Sequence, residues 1–370
     1  MINSEPINII GGGIAGLTTA LTFQKLGIKY RLFEQHFEIT YENVGLGISA
    51  NIFPILEDLN ILEQTKKLGA EIQTFHFVDK SLKYINSFKL KRPALSVNRK
   101  LFYHLLNDHL DPNNIHLNST KSGNDFSESE IVISADGINS QLRQSNYPNL
   151  KLRNSNQILW RGISEIILDE KFKNAYHDFV GNNLRFAIIH TGENYYSWYA
   201  IIEKNQNLTL RIDKEFLINL FNEFHPSVNA VIDKSANVYF SELLDIKPQK
   251  RRSLNWFIKK RLMIGDAIHP TTPNMANGAC LAIEDGYLLA NLFKNDSLTL
   301  QEIYKVFQKQ RAKKVDRIVF QSWWFGKLLH QRNNVFDYFV KLGMAILPQF
   351  LFDKIYSNIL TETNAKMPKE

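Results

Sequence analysis

The chain opens with the apolar run Ile7-Asn8-Ile9-Ile10, which predicts a short buried strand. Glycines follow, and then Leu17, Ala20, Leu21 and Leu26 recur at helical spacing until Gly27 closes the pattern. A second β-type run, Tyr30 to Phe33, comes at once. Strand, glycine turn, helix and strand thus form a minimal βαβ unit, whose crossover is expected to be right-handed. Further along, residues 51–68 carry helical spacing, 72–78 and 84–90 alternate as strands, and Arg99 to Leu110 returns to a helical period. Ile131-Val132-Ile133 reads as a buried strand that runs out into Ala135-Asp136-Gly137.

The middle third changes character. β-type runs at 157–167, 184–190, 195–203 and 236–243, with helical spacing around 214–234, predict a sheet of mainly antiparallel strands. A last β-type stretch, Arg261 to Ile264, precedes Gly265-Asp266, and helical patterns over 279–294, 299–331, 334–347 and 349–360 complete the chain. The first domain therefore resumes near residue 255, and two domains are interleaved in sequence.

Composition narrows the class. Hydrophobic residues make up 44% and charged residues 22% of the 370, the balance of a soluble globular protein with room for two domains. Disorder is excluded as the main state. No stretch reaches the ~18–20 uncharged apolar residues of a spanning helix. The amino terminus MINSEPINII has neither the basic start nor the long apolar core of a signal peptide. Cys280 is the only cysteine, so no disulfide closes within the chain and a reducing cytoplasm is the expected compartment.

The formal charge of +7 comes from 44 basic and 37 acidic residues, and residues 301–370, with 12 basic against 6 acidic, supply +6 of it. Lys305, Lys309, Arg311, Lys313, Lys314 and Arg317 stud one late helix, and no recognition motif accompanies them. Solvated basic faces are expected, and nucleic acid is not. Apolar stripes through Phe336, Phe339, Val340, Gly343 and Leu347, then Leu351, Ile355 and Ile359, suit closure over the core or a homodimer contact. Joined to the basic excess, they also suit a peripheral membrane contact.

Candidate chemistry begins at Gly11-Gly12-Gly13-Ile14-Ala15-Gly16, which has the form GxGxxG. Gly11 allows the tight turn, Gly13 lets backbone approach a pyrophosphate, and Gly16 lets helix pack closely on strand. The anion would sit at the helix start, Ile14 and Ala15. Glu34 ends the next strand, where a carboxylate accepts from ribose hydroxyls. Dinucleotide binding is the expectation, against a plain structural turn with an incidental surface glutamate. A second constellation runs from Gly265-Asp266-Ala267-Ile268-His269-Pro270 through Asn277-Gly278-Ala279-Cys280 to Glu284-Asp285. Asp266 is either an acceptor for a ribitol or ribose hydroxyl or an ordinary turn residue, and the helix start at Gly278 offers backbone N–H groups. The third is Asp136-Gly137 with Ser140 and Arg143, which also fits a turn and a helix start. No Cys/His cluster has metal-ligand spacing, so no metal is expected.

In this order the motifs resemble the single-component FAD-dependent aromatic hydroxylases. These are the group A flavoprotein monooxygenases, similar in layout to p-hydroxybenzoate, salicylate and urate hydroxylases and to zeaxanthin epoxidase. Val97-Asn98-Arg99, Trp160-Arg161-Gly162 and Tyr304 with Arg311 and Arg317 add to the likeness. The resemblance implies an α/β fold: a Rossmann-like FAD-binding domain of GR2 type, interleaved with a smaller mixed-sheet substrate domain, plus C-terminal helices. The FAD-binding domain would take residues 1–75, 96–155 and 255–330, the substrate domain 76–95 and 156–254, and the helical segment 331–370. It implies FAD, held by Gly11, Gly13, Ile14, Ala15, Gly16, Glu34, Arg99, Asp136, Gly265, Asp266, Gly278 and Ala279. NADH or NADPH would be the co-substrate, and O2 would donate one atom to a small aromatic, N-heterocyclic or isoprenoid-type substrate through a C4a-hydroperoxyflavin. The alternative is a flavin-dependent reductase or dehydrogenase of a lipid-like substrate, without oxygen insertion.

Catalytic candidates are Arg185 and His269. Arg185 either meets a substrate anion or oxyanion or points outward from an alternating strand, and His269 is a candidate base beside the flavin. The aromatic strand Tyr195, Tyr196, Trp198 and Tyr199 is expected to pack mainly in the core. Cys280 is expected to be a small buried residue. Two departures from the family stand out. Ala276-Asn277-Gly278 replaces a common Gly-Gln-Gly, which stiffens or narrows that loop, and residues 111–130 are short where relatives carry a longer excursion.

Overall fold

A computed structural model describes residues 5–39, 41–181, 183–204, 213–330 and 334–360, without the side chains of 334–338 and 355–360. Its strands fall into two sheets. The first has six strands in the spatial order Phe257–Ile258, Arg261–Met263, Val132–Ser134, Ile7–Ile10, Tyr30–Phe33 and Ile115–His116. All neighbours are parallel except the first two, which form an antiparallel hairpin. Ile7, Ile9 and Ile10 are buried because a central parallel strand is covered on both faces. The helices Ile14–Lys25 and Gly278–Phe293 pack on this sheet and on each other.

The second sheet has eight strands: Tyr239–Asp245, Arg153–Glu165, Tyr195–Glu203, Leu184–His190, Ala175–Gly181, Gly69–Val78, Tyr84–Asn98 and Gly45–Ile48. Every pairing is antiparallel except that of Gly69–Val78 with Ala175–Gly181. One face carries a core of Trp160, Phe186, Trp198, Phe221 and Val231, closed by the helices Lys214–Leu220 and Pro226–Asp233. The other face points toward the first sheet's helix ends and lines the cavity described below.

Several elements differ from the sequence expectation for local reasons. Residues 51–68 divide into Phe53–Asp58 and Leu62–Lys66 because Asn60 takes a left-handed φ of 60°. The strand Ala175–Gly181 carries fully buried His177 and Asp178, so polar residues interrupt its apolar signal. This sheet also begins at Gly69 and takes in Gly45–Ile48, earlier in the chain than a start at residue 76.

The basic late helix is a correction. Leu300–Leu329 buries Arg311 and Lys314 rather than solvating them. Arg311 reaches Asp285 at 2.6 Å and Glu284 at 2.5 Å, and Lys314 reaches Glu284 at 2.5 Å. Beyond it, Asn334–Ala345 and Gln349–Leu360 lie against Tyr84–Asn98. Their inward residues are Met344 and Phe352, packed on Phe75, Phe88 and Phe325. The predicted stripe is split: Val340 and Leu347 pack against this cluster, whereas Phe339, Gly343 and Leu351 are exposed, together with Leu342, Ile346 and Phe350. Phe336, Ile355 and Ile359 lie outside the described side chains. No helix among the described residues is long and apolar enough to cross a membrane.

Candidate active site

A continuous cavity of about 860 Å³ runs from the glycine turn to the second sheet. The turn is shaped by contacts that a side chain would prevent. Gly11 has a left-handed φ of 102°, and a Cβ on it would collide with the Ala135 carbonyl. A Cβ on Gly16 would strike the Gly11 carbonyl, so Gly16 fixes the helix against the strand and does not line the cavity. Gly11, Gly13, Ile14 and Ala15 do line it. Glu34 stands in the same wall, its carboxylate accepting from Gly12 N–H at 2.6 Å and His36 N–H at 3.0 Å.

The motifs after the first-sheet strands converge on this turn. Asp136 lines the cavity and also accepts from Gln141 N–H at 2.9 Å, at the start of helix Gln141–Asn146. Arg143 is buried and donates to the Ala267 carbonyl at 2.7 Å and to the Ile138 carbonyl. It therefore staples the Asp136 loop to the Asp266 loop. Asp266 is exposed to the cavity, yet it sits among enough protein for desolvation to raise its carboxyl pKa, opposed by His269, Arg99 and Arg143. Gly278 and Ala279 line the cavity at the start of their helix. Gly265 does not, but its N–H donates to Asp285 at 2.9 Å and holds the loop.

His269 is a second correction. It is 1% exposed, absent from the cavity wall, and its Nε2 lies 2.6 Å from Asp285 Oδ2. Burial favours a protonated Asp285, but His269 and Arg311 outweigh it and hold the pKa down at about 2. His269 is thus part of the ionic lock beneath the loop rather than a base facing the cavity. Cys280 is buried, as expected, and receives Ser49 N–H at 3.4 Å.

Arg99 and Arg161 form a junction that the sequence only hinted at. Both line the cavity and share Glu42, at 3.2 and 2.7 Å. The Nε of each is buried and has no acceptor among the described residues. The rings of Tyr41 and Tyr103 flank Arg99 at 5.4 and 5.6 Å.

The far end of the cavity belongs to the second sheet. Arg185 and Tyr199 point into it, as do Tyr176 and Ile201, because alternation sends every second residue of these strands to one face. Tyr199 is therefore a wall residue, whereas Trp198 packs on Phe186 in the core behind. Arg185 is not outward-pointing. It is 1% exposed and grips Asp178, with contacts from 2.6 to 3.1 Å, while Nη1 donates to Asn274 at 3.2 Å. Burial works against its charge, but Asp178, Tyr199 and Tyr176 outweigh burial and keep its pKa well above the arginine value. Asp178 escaped the sequence reading because it belongs to no motif, and Asn274, although inside the stretch from Gly265 to Asp285, was assigned no role of its own.

The chain matches the FAD-binding domain family over residues 5–106 and 91–295. It belongs to that family, and the resemblance to FAD-dependent monooxygenases is borne out. It is 23% identical over 359 residues to the aurachin C monooxygenase/isomerase of Stigmatella aurantiaca, covering 90% of this chain and 91% of that one. It is 25% identical over 352 residues to the 2-heptyl-3-hydroxy-4(1H)-quinolone synthase of Pseudomonas aeruginosa, covering 86% and 88%. The structure of Klebsiella pneumoniae HpxO complexed with FAD and uric acid has the same fold, with a TM-score of 0.84, 19% identity and 97% of each chain covered.

Proposed function

We propose that this FAD-dependent monooxygenase uses NADH or NADPH and O2 to hydroxylate a small aromatic or N-heterocyclic substrate. The observation that carries the reading is the single cavity, which joins a dinucleotide-type glycine turn to an aromatic-walled chamber. FAD fits this chain on the structure's own terms: a Cβ on Gly13 would stand in the cavity, with only Tyr41 Oη near it at 3.7 Å, and Arg99 Nε is a buried donor with no acceptor among the described residues. In this reading Gly11, Gly13, Ile14, Ala15 and Glu34 hold the ADP half. Arg99 and Asp266 hold the phosphate and ribitol region, with Asp136, Gly278 and Ala279 around the remainder, while Gly16 and Gly265 act through the shape of the backbone. Bound FAD supplies the redox and oxygen-activating chemistry.

The protein's share is positioning and dryness. The apolar walls Leu159, Ile189 and Ile201 exclude water. Tyr199 presents a ring face and a hydroxyl, and Arg185 keeps N–H donors for a carbonyl or hydroxyl oxygen that gains charge during reaction. Arg185 then acts as a neutralised hydrogen-bond donor rather than a free cation. The relatives named above, a quinolone synthase among them, support an N-heterocyclic ring.

The test is substrate-stimulated NAD(P)H oxidation under 18-O oxygen, with mass analysis of the product. Incorporated label supports the proposal, and a reduced or dehydrogenated product without label would favour the lipid reductase reading. The exposed apolar residues of the terminal helices also support a peripheral contact with an anionic membrane, Phe339, Ile346 and Phe350 being 61%, 73% and 67% exposed. Failure to co-sediment with phosphatidylglycerol vesicles at low salt removes that contact.

A further inference from the structure

We propose that the substrate chamber selects an uncharged ring, because Asp178 cancels the charge of Arg185 within the chamber wall. The inference rests on the monooxygenase reading and narrows its substrate class. An arginine facing a cavity ordinarily invites a carboxylate, since its planar fork matches one. Here that fork is already occupied. Nε and Nη2 of Arg185 both bond to Asp178, and Nη1 bonds to Asn274. Asp178 is itself fully buried, on the neighbouring strand and on the same sheet face as Arg185. Three contacts of 2.6 to 3.1 Å assign an ionised pair with no net charge.

A substrate carboxylate placed against Arg185 would lose its water and meet a second carboxylate already bonded to the same guanidinium. Coulomb repulsion in a poorly solvated site makes that arrangement costly. A ring carbonyl or hydroxyl loses much less on entry and still finds the outer N–H groups of Arg185. The rest of the chamber agrees. The hydroxyls of Tyr176 and Tyr199 bond to each other, offering neutral donors and acceptors. The surrounding walls are Ile72, Phe75, Ile189 and Ile201. The charges of Arg99 and Arg161 are centred on Glu42, with one positive charge in excess.

The experiment uses a matched pair of probes, 4-hydroxyquinoline and 4-hydroxyquinoline-2-carboxylate, titrated into the FAD-loaded protein by calorimetry without NAD(P)H. Wild type is expected to bind the uncharged ring at least tenfold more tightly. Asp178→Asn frees one positive charge and is expected to shift the ratio at least tenfold toward the carboxylate. Should that variant fail to fold, the double variant Asp178→Asn with Arg185→Gln contains no unpaired charge and is expected to keep the wild-type preference. Tighter binding of the carboxylate to wild type, failure of the uncharged ring to bind, an unchanged ratio in folded Asp178→Asn, or a tenfold change in the double variant would each overturn the inference. Because no turnover is involved, the selectivity can hold while 18-O labelling fails, and the reverse, so the two readings fail separately.

Discussion

The two ends of the cavity are built by different means. At the glycine turn the wall is mostly backbone: Gly11 and Gly13 bring the chain close, and Arg143, Asp285 and Arg311 act from behind to fix the loops. In the substrate chamber the wall is mostly side chains from adjacent strands, and Arg185 and Asp178 compensate one another within it. A backbone cradle restricts which residue types fit at fixed offsets, whereas a strand face accepts many side chains at each position. On the proposed function, the first end is constrained by the shape of FAD, and the second is free to define a particular substrate.

The largest expected effect tests the support of the cradle. Arg311→Leu removes the one cation shared by buried Glu284 and Asp285, leaving Lys314 on the first and His269 on the second, and should cost about 3 kcal/mol of stability. Urea unfolding of the variant measures it, and a loss below about 1 kcal/mol would mean that the lock does not hold this end together. Gly13→Ala and Asp266→Ala act on the cradle itself. Each should weaken FAD retention by tenfold to a hundredfold, about 1.4–2.7 kcal/mol, with the fold kept; flavin absorbance after gel filtration reads this out. Retention equal to wild type in Asp266→Ala would remove that residue from the site. Ile201→Ala, in the chamber, should leave FAD retention unchanged, and a loss there would blur the distinction between the two ends.

Acid sensitivity should belong to the substrate sheet. His177 and His330 are buried, and desolvation lowers them to about 3 and about 4. The unfolded chain takes up these protons near pH 6.5, while the folded chain does so only at the lowered values. Their neutral burial therefore costs nothing above about pH 6.5, and stability falls as pH drops below it, by up to ~1.4 kcal/mol per pH unit for each histidine. Unfolding midpoints between pH 7 and pH 4.5 should show this slope, and His177→Gln should remove its share.

The smallest effect concerns the loop between the two ends. Ala276 adopts a left-handed φ of 49°. Such a conformation costs about 1–2 kcal/mol for a non-glycine residue, and glycine returns about 0.4–1 kcal/mol of that through the unfolded state. Ala276→Gly should thus gain about 0.5–1 kcal/mol, visible as a small rise in Tm. A lower Tm would show that the methyl group packs favourably beside Gly47, whose own Cβ position lies 3.5 Å away.

Much of the architecture was legible because its signals are local. The βαβ opening, the runs at 184–190 and 195–203, and the long late helices follow from periodicity and punctuation, and the structure has them at Leu184–His190, Tyr195–Glu203 and Leu300–Leu329. Ala175–Gly181 was not legible, since a strand carrying buried His177 and Asp178 breaks the apolar pattern that marks strands. The same polarity hid Asp178 as a partner of Arg185. Arg311 and Lys314 looked like solvated charges because their acidic partners, Glu284 and Asp285, lie on another helix.

By itself the sequence marked Gly11, Gly13, Glu34, Asp136 and Asp266, which stand together in the cavity wall, because GxGxxG and the residues that end the neighbouring strands recur at set places along the chain. Tertiary structure alone decided what Arg185 faces and what His269 serves. Both depend on which buried carboxylate lies within hydrogen-bonding distance, a matter of strand register for Asp178 and of helix packing for Asp285. Charge compensation across elements has no spacing in sequence, and only the folded chain brings the partners together.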